Sequence, residues 1–130
     1  MNEATRVRCL RYALILVGLL FTAGVYPLAM AWWPSAARWQ VDDGAQMILA
    51  IYISLGILLL LASRNPLRNR SLIWFAVWSS VAHGGIMAVQ AIHSSANHTD
   101  RVAGSAVMFV VAILLGVLMP RDAITEPNPI

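Results

Sequence analysis

Four long stretches of this chain carry no Asp, Glu, Lys or Arg, and no other feature limits its fold so narrowly. They are Tyr12–Ala37, Gly44–Ser63, Ser71–Thr99 and Val102–Pro120, of 26, 20, 29 and 19 residues. A hydrocarbon layer about 30 Å thick takes roughly 20 helical residues, so each stretch can cross once and none twice. Backbone amides and carbonyls find no water in lipid, which leaves helices or closed barrels. Barrel strands alternate polar and apolar residues; the run Ile57-Leu58-Leu59-Leu60-Leu61 does not. The sequence predicts an all-α integral membrane protein, an antiparallel bundle of four transmembrane helices over residues 1–121.

Composition excludes the competing classes. Apolar residues make up 59% of the 130 and charged residues 12%, against about 25% charged in a globular domain. Such a chain has too little polar surface for a water-soluble globule and too little charge for disorder. Cys9, the single cysteine, has no partner in the chain for a disulfide scaffold.

Local signals trim the spans. The first is predicted from Arg11 to Trp33, where an aromatic pair meets helix-ending Pro34, with Tyr26-Pro27 kinking it or finishing its regular part early. The second runs from Gly44 to Ser63, before Arg64-Asn65-Pro66. The third runs from Ser71, an N-cap by residue type, to Ser94. The fourth runs from Val102 to Met119. The loops between are too short for an extramembrane domain, and the tail Asp122–Ile130, with Pro127 and Pro129, is expected to be disordered. Basic residues, an apolar run and Ala29-Met30-Ala31 also match a cleavable secretory signal. The apolar run exceeds the usual 7–15 residues of such a signal, so a retained span is the expectation.

Arginine placement orients the bundle. With both termini cytoplasmic, Arg6, Arg8, Arg11, Arg64, Arg68, Arg70 and Arg121 lie inside, and only Arg38 and Arg101 outside. That is a strong positive-inside bias. The excess basicity then meets anionic lipid head groups, and no nucleic-acid partner is expected.

The third span carries the informative pattern. Ala76, Ser80, Gly84 and Ala88 recur every fourth residue, a small-residue ridge that lets a neighbouring backbone come close. It serves either contact with another span or a dimer face. Beside it run Ser79, His83, Met87 and Gln90. His83 is about 18 Å along the helix from Ser71, near the bilayer midplane. An ionisable group at that depth marks a candidate functional site, and a neutral imidazole is expected there, able to donate through one nitrogen and accept through the other.

A haem iron would take that imidazole as an axial ligand. No other span holds a histidine, so the second ligand would be Met87, Met47, Met108 or Met30, or a second His83 across a symmetric dimer. A quinone would need one donor, His83 or Tyr52, beside an aromatic wall such as Trp74 and Trp78. Copper or zinc would want clustered ligands, and the spans contain no acid. The plainer reading is a tether, His83 hydrogen-bonding Tyr52, Ser54 or a carbonyl on span one or two. His93, His98 and Asp100, with Asp42 and Asp43, sit outside without metal-ligand spacing. Asn97-His98-Thr99 is a glycosylation sequon, Cys9 lies at the inner boundary, and Trp32, Trp33 and Trp39 read as an interfacial belt. No Gly-rich phosphate loop, H-E-x-x-H or G-x-S-x-G occurs.

The motifs Gly24-Val25-Tyr26-Pro27-Leu28, Ser54-Leu55-Gly56, Ala62-Ser63-Arg64-Asn65-Pro66 and Ser71-Leu72-Ile73-Trp74-Phe75, with Trp78-Ser79-Ser80 and His83, carry a resemblance over about residues 6–120. The chain resembles an uncharacterised family of short bacterial four-span membrane proteins, a domain of unknown function. In size and span number it is also similar to DoxX-like membrane proteins. Both resemblances imply a bacterial inner membrane; neither brings site residues. The expected function is a non-catalytic component, an accessory subunit of a larger membrane complex or a homo-oligomer, with no cofactor. The alternative is a haem- or quinone-binding redox protein using His83, Met87, Gln90 and Tyr52.

Overall fold

The computed structural model describes residues 2–27, 43–93 and 98–120. Apart from short turns and ends these are helical, with no strand among them. Helix α1 is Glu3–Thr22, α2 is Asp43–Ala62, α3 is Arg70–His93 and α4 is His98–Leu118, with a 3-10 turn, Pro66–Asn69, between α2 and α3. All four helices are long and apolar enough to cross a membrane, the pattern of a multi-pass membrane protein. The end of the first span at Trp33, the tryptophan belt, Asp42, Asn97 of the sequon and the C-terminal tail lie outside the described residues.

The first and last helices extend past their uncharged cores. α1 begins at Glu3 rather than Arg11, and α4 begins at His98 rather than Val102. Charge is costly only inside the hydrocarbon layer, whereas helical hydrogen bonding continues into the head-group region. The acids Glu3 and Asp100 fall in the first turns of their helices, where the positive end of the helix dipole favours them. The third helix starts one residue before Ser71, at Arg70. Ser71 is therefore inside the helix and is not its cap, because Pro66 opens a 3-10 turn that runs directly into α3.

The regular part of α1 stops at Thr22. Ala23 still donates to Leu19 O, but Gly24 donates to Phe21 O at 3.2 Å and Tyr26 to Ala23 O at 3.1 Å, a tightened winding. After the turn at Ala23–Gly24, residues 25–27 are helical again, and Pro27 sits in the first turn of that piece, where its missing amide leaves no helix bond unmade. At the other end of the next helix, Ser63 Oγ donates to Leu60 O at 2.6 Å and Asn69 Nδ2 to Asn65 O at 2.9 Å.

Helices pair along the chain: α1 packs on α2 and α3 on α4, while α1 and α4 join the two pairs and α2 barely touches α3. The shared core consists of Leu10, Leu14, Val17 and Phe21 of α1, Leu55 and Leu59 of α2, Ile73 and Val77 of α3, and Val111 and Leu115 of α4. Elsewhere large apolar side chains face outward, Trp78 at 67% and Ile92 at 81% exposure among them. Water would make that surface prohibitive; hydrocarbon makes it neutral.

Two arginines tie one end together. Arg6 Nη2 donates to Val117 O at 3.1 Å and Arg70 Nη2 to Pro120 O at 2.8 Å. The last carbonyls of a helix have no amide partners of their own, so Arg6 of α1 caps Val117 of α4, while Arg70 of α3 holds Pro120, two residues past the helix end. Arg6 also lies 3.7 Å from Glu3.

Both close helix contacts run through glycines. A Cβ built on Gly18 would lie 2.9 Å from Gly56 O, and one on Gly56 would lie 2.8 Å from Gly18 O and 2.9 Å from Thr22 N. Backbone meets backbone there. Thr22 Oγ1 folds back onto Gly18 O at 2.7 Å, keeping its hydroxyl satisfied within α1. On the other pair, a Cβ on Gly84 would lie 3.0 Å from Met108 Cβ and 3.3 Å from Ser105 O, and Ser105 Oγ donates across to Gly84 O at 2.8 Å. Ala76, Ser80 and Gly84 of the small-residue ridge are buried within the chain, and Ala88 is half-buried.

Ser80 is the exception in this seam, its Oγ fully buried without a hydrogen-bond partner. The nearby Ala76 carbonyl already accepts from Ser79 Oγ at 3.1 Å. An unmade bond of this kind costs about 1–3 kcal/mol. Ser80→Ala is therefore expected to leave stability unchanged or raise it by about 1 kcal/mol, measured by reversible unfolding in mixed detergent micelles. A loss of more than about 1 kcal/mol would show that the hydroxyl has a partner.

Candidate functional site

α2 and α3 scarcely meet, yet two polar side chains, one near the middle of each, do. The ring of His83 stands edge-on to Tyr52, centroids 5.2 Å apart at 63°. Tyr52 in turn stands edge-on to Phe21 of α1, at 4.9 Å and 80°. Such edge-to-face pairs place the positive rim of one ring against the negative face of the next. The two polar side chains therefore meet through their rings. Both are half-buried.

These rings form one wall of a pocket of about 240 Å³, completed by Leu20, Gly24, Ile48, Leu49, Val107 and Met108. Every helix contributes. Gly24 does so at the tightened end of α1, where its missing side chain leaves Leu49 3.2 Å from the position a Cβ would take. Because the Gly24 amide turns to Phe21 O, the Leu20 carbonyl loses its in-helix donor beside the pocket.

The remaining sequence candidates do not join this site. Met87 turns against α4, where a Cβ on Gly104 would collide with its Cε and lie 3.2 Å from its Sδ. Gln90 is exposed and lines a different groove with Val81, Ala82, Gly85, Ile86 and Val89. Of the methionines named as second haem ligands, Met108 lies in the pocket and Met47 is 70% exposed; Met30 lies outside the described residues. Trp74 and Trp78, the expected aromatic wall, are exposed, and Phe21 takes that place. Ser54 Oγ donates within its own helix to Ala50 O at 2.9 Å. At the C-terminal end of α3 His93 Nδ1 is bonded to Val89 O at 2.9 Å. Cys9 is a half-buried free thiol.

Size sorts the two cofactor ideas. A cavity of about 150 Å³ takes one benzene, and ligand pockets for drug-sized molecules run from about 300 to 1,000 Å³. At about 240 Å³ the pocket suits one substituted ring and does not fit a haem macrocycle.

Residues 4–129 match the model of a family described as a family of unknown function, DUF6632. No curated protein and no solved structure matches the chain.

Proposed function

Because the chain belongs to the DUF6632 family of unknown function, its role has to be read from its own helices, and we propose that it is a non-catalytic component of a bacterial inner membrane. It forms an antiparallel four-helix bundle with both termini cytoplasmic, and acts by assembling with itself or with a larger membrane complex. The observation that carries this reading is how little the helices cover one another: 33%, 22%, 28% and 22% of the best window in each candidate span is buried within the chain. The outward surface is apolar and nearly uncharged, which suits lipid and neighbouring helices alike.

Contacts along the chain support the antiparallel arrangement. Arg70 reaches Pro120, Val77 lies by Gly116, Gly84 by Ser105, and Met87 by Gly104, so one number rises as the other falls. Arg6 and Arg70 gather at the end of α4 on the side the positive-inside rule assigns to the cytoplasm.

Thiol labelling of Asn69→Cys and Ser95→Cys in a Cys9→Ser background tests the orientation. Ser95→Cys should react with an impermeant reagent in intact cells and Asn69→Cys only after lysis; the reverse overturns it. Crosslinking in native membranes, followed by mass measurement, tests the assembly. A species larger than one chain is expected, and a strict monomer removes the assembly reading.

A further inference from the structure

The Tyr52–His83 pocket differs from the other hollows among the described residues in the pair of side chains that line it. The hollow between α1 and α4, lined by Leu16, Val17, Leu20, Val107 and Val110 among others, is apolar throughout. The one between α2 and α3 contains Ser54, whose hydroxyl is already given to Ala50 O. The groove on α3 carries the carboxamide of Gln90 alone; among the described residues, the Tyr52–His83 pocket is the one lined by an imidazole and a phenol together, on an otherwise apolar wall.

Depth, size and chemistry then narrow the ligand. His83 is about 20 Å along α3 from Arg70, and Tyr52 about 14 Å along α2 from Asp43, so the pocket opens within the hydrocarbon layer. A molecule reaching it travels through lipid and carries an apolar body. About 240 Å³ accepts one substituted ring. The imidazole donates to a ring carbonyl through one nitrogen or accepts from a ring hydroxyl through the other, and the phenol does either. A plain acyl chain would fill the space but leave both groups without bonds, at a cost that a ring oxygen removes.

We propose that this pocket binds the single-ring head group of a lipid-soluble quinone or quinol, with His83 and Tyr52 as its hydrogen-bonding residues. The inference goes beyond the assembly reading and does not depend on it, since the pocket is built within one chain. It concerns binding alone.

The test uses the full chain in phosphatidylcholine vesicles with an azido derivative of a decyl-substituted benzoquinone, activated by light. Labelling should saturate, be displaced by unlabelled decyl-benzoquinone and not by decanol, and map to Leu20–Gly24, Ile48–Tyr52 and Val107–Met108. His83→Leu and Tyr52→Phe should each weaken it by about tenfold, while Val89→Leu, in another groove, leaves it unchanged. Should His83→Leu fail to fold, Tyr52→Phe decides, because it removes one oxygen and keeps the ring. Labelling that does not saturate, that decanol displaces equally, or that both variants leave unchanged overturns the proposal. A monomeric chain that still labels saturably removes the assembly reading and keeps this one.

Discussion

Gly56→Ala should part α1 from α2, although it adds a single methyl group. That methyl would sit 2.7 Å from Thr22 Oγ1, 2.8 Å from Gly18 O and 2.9 Å from Thr22 N. Two of these three atoms belong to the backbone and have no rotamer to escape into, so the helices themselves must move. Overfilling a packed contact costs about 1–3 kcal/mol, and the rigidity of this one argues for the upper end. The substitution also has an opposing term, since alanine is the better helix former by about 0.5–1 kcal/mol. Gly85→Ala isolates that term, because nothing lies within 4 Å of its added methyl. Reversible unfolding in mixed micelles should show Gly56→Ala destabilised and Gly85→Ala neutral or stabilised. Equal stability of the two variants would mean that the α1–α2 crossing is looser than its geometry.

Gly84→Leu should be the more damaging change on the second helix pair. Its first added carbon meets Met108 Cβ at 3.0 Å and Ser105 O at 3.3 Å, and the rest of the side chain has only α4 to enter. Separation of the helices also breaks the Ser105 Oγ to Gly84 O bond, 2.8 Å long and buried. Interhelical bonds of this kind average about 0.6 kcal/mol in lipid. The steric term therefore dominates, on the order of 3 kcal/mol. Ser105→Ala, which removes the bond and adds no bulk, should lose only about 0.6 kcal/mol. The pair of variants also separates the two uses of the ridge. If Gly84→Leu unfolds normally but dissociates a crosslinked oligomer, the ridge serves contacts between chains. A lowered unfolding midpoint with unchanged mass keeps it within one chain.

The small-residue ridge was legible because a four-residue repeat puts Ala76, Ser80, Gly84 and Ala88 on one helix face. The Gly18–Gly56 contact has no comparable repeat. Gly18 and Thr22 are spaced as a small-x-x-x-small pair, but Gly56 stands among leucines, and nothing in either segment says that the two will meet. The polar stripe shows the same limit from the other side. His83, Met87 and Gln90 share a face, yet Met87 is taken up by Gly104 on α4, and Gln90 lies about 10 Å farther along the axis than His83. A shared face is an arc of directions, and a site also needs a shared depth. Tyr52 and His83 satisfied both, because each is placed near mid-span on its own helix. The arginine bonds to Val117 and Pro120 were hidden for another reason. As residues, Arg6 and Arg70 read only as inward-side charges, and their acceptors are backbone carbonyls, which no side-chain pattern reveals.

Four apolar helices were determined by the sequence alone. The thickness of hydrocarbon and the cost of an unpaired backbone group act on length and composition, and both are written in the chain before it folds. The tertiary structure alone decided which helices pair, which glycines touch, and which side chains surround His83. In lipid one apolar helix face is as well solvated as another, so hydrophobicity does not rank the pairings. The choice falls to van der Waals fit and a few hydrogen bonds, such as Gly18 against Gly56 and Ser105 on Gly84, and those exist only once the helices are side by side.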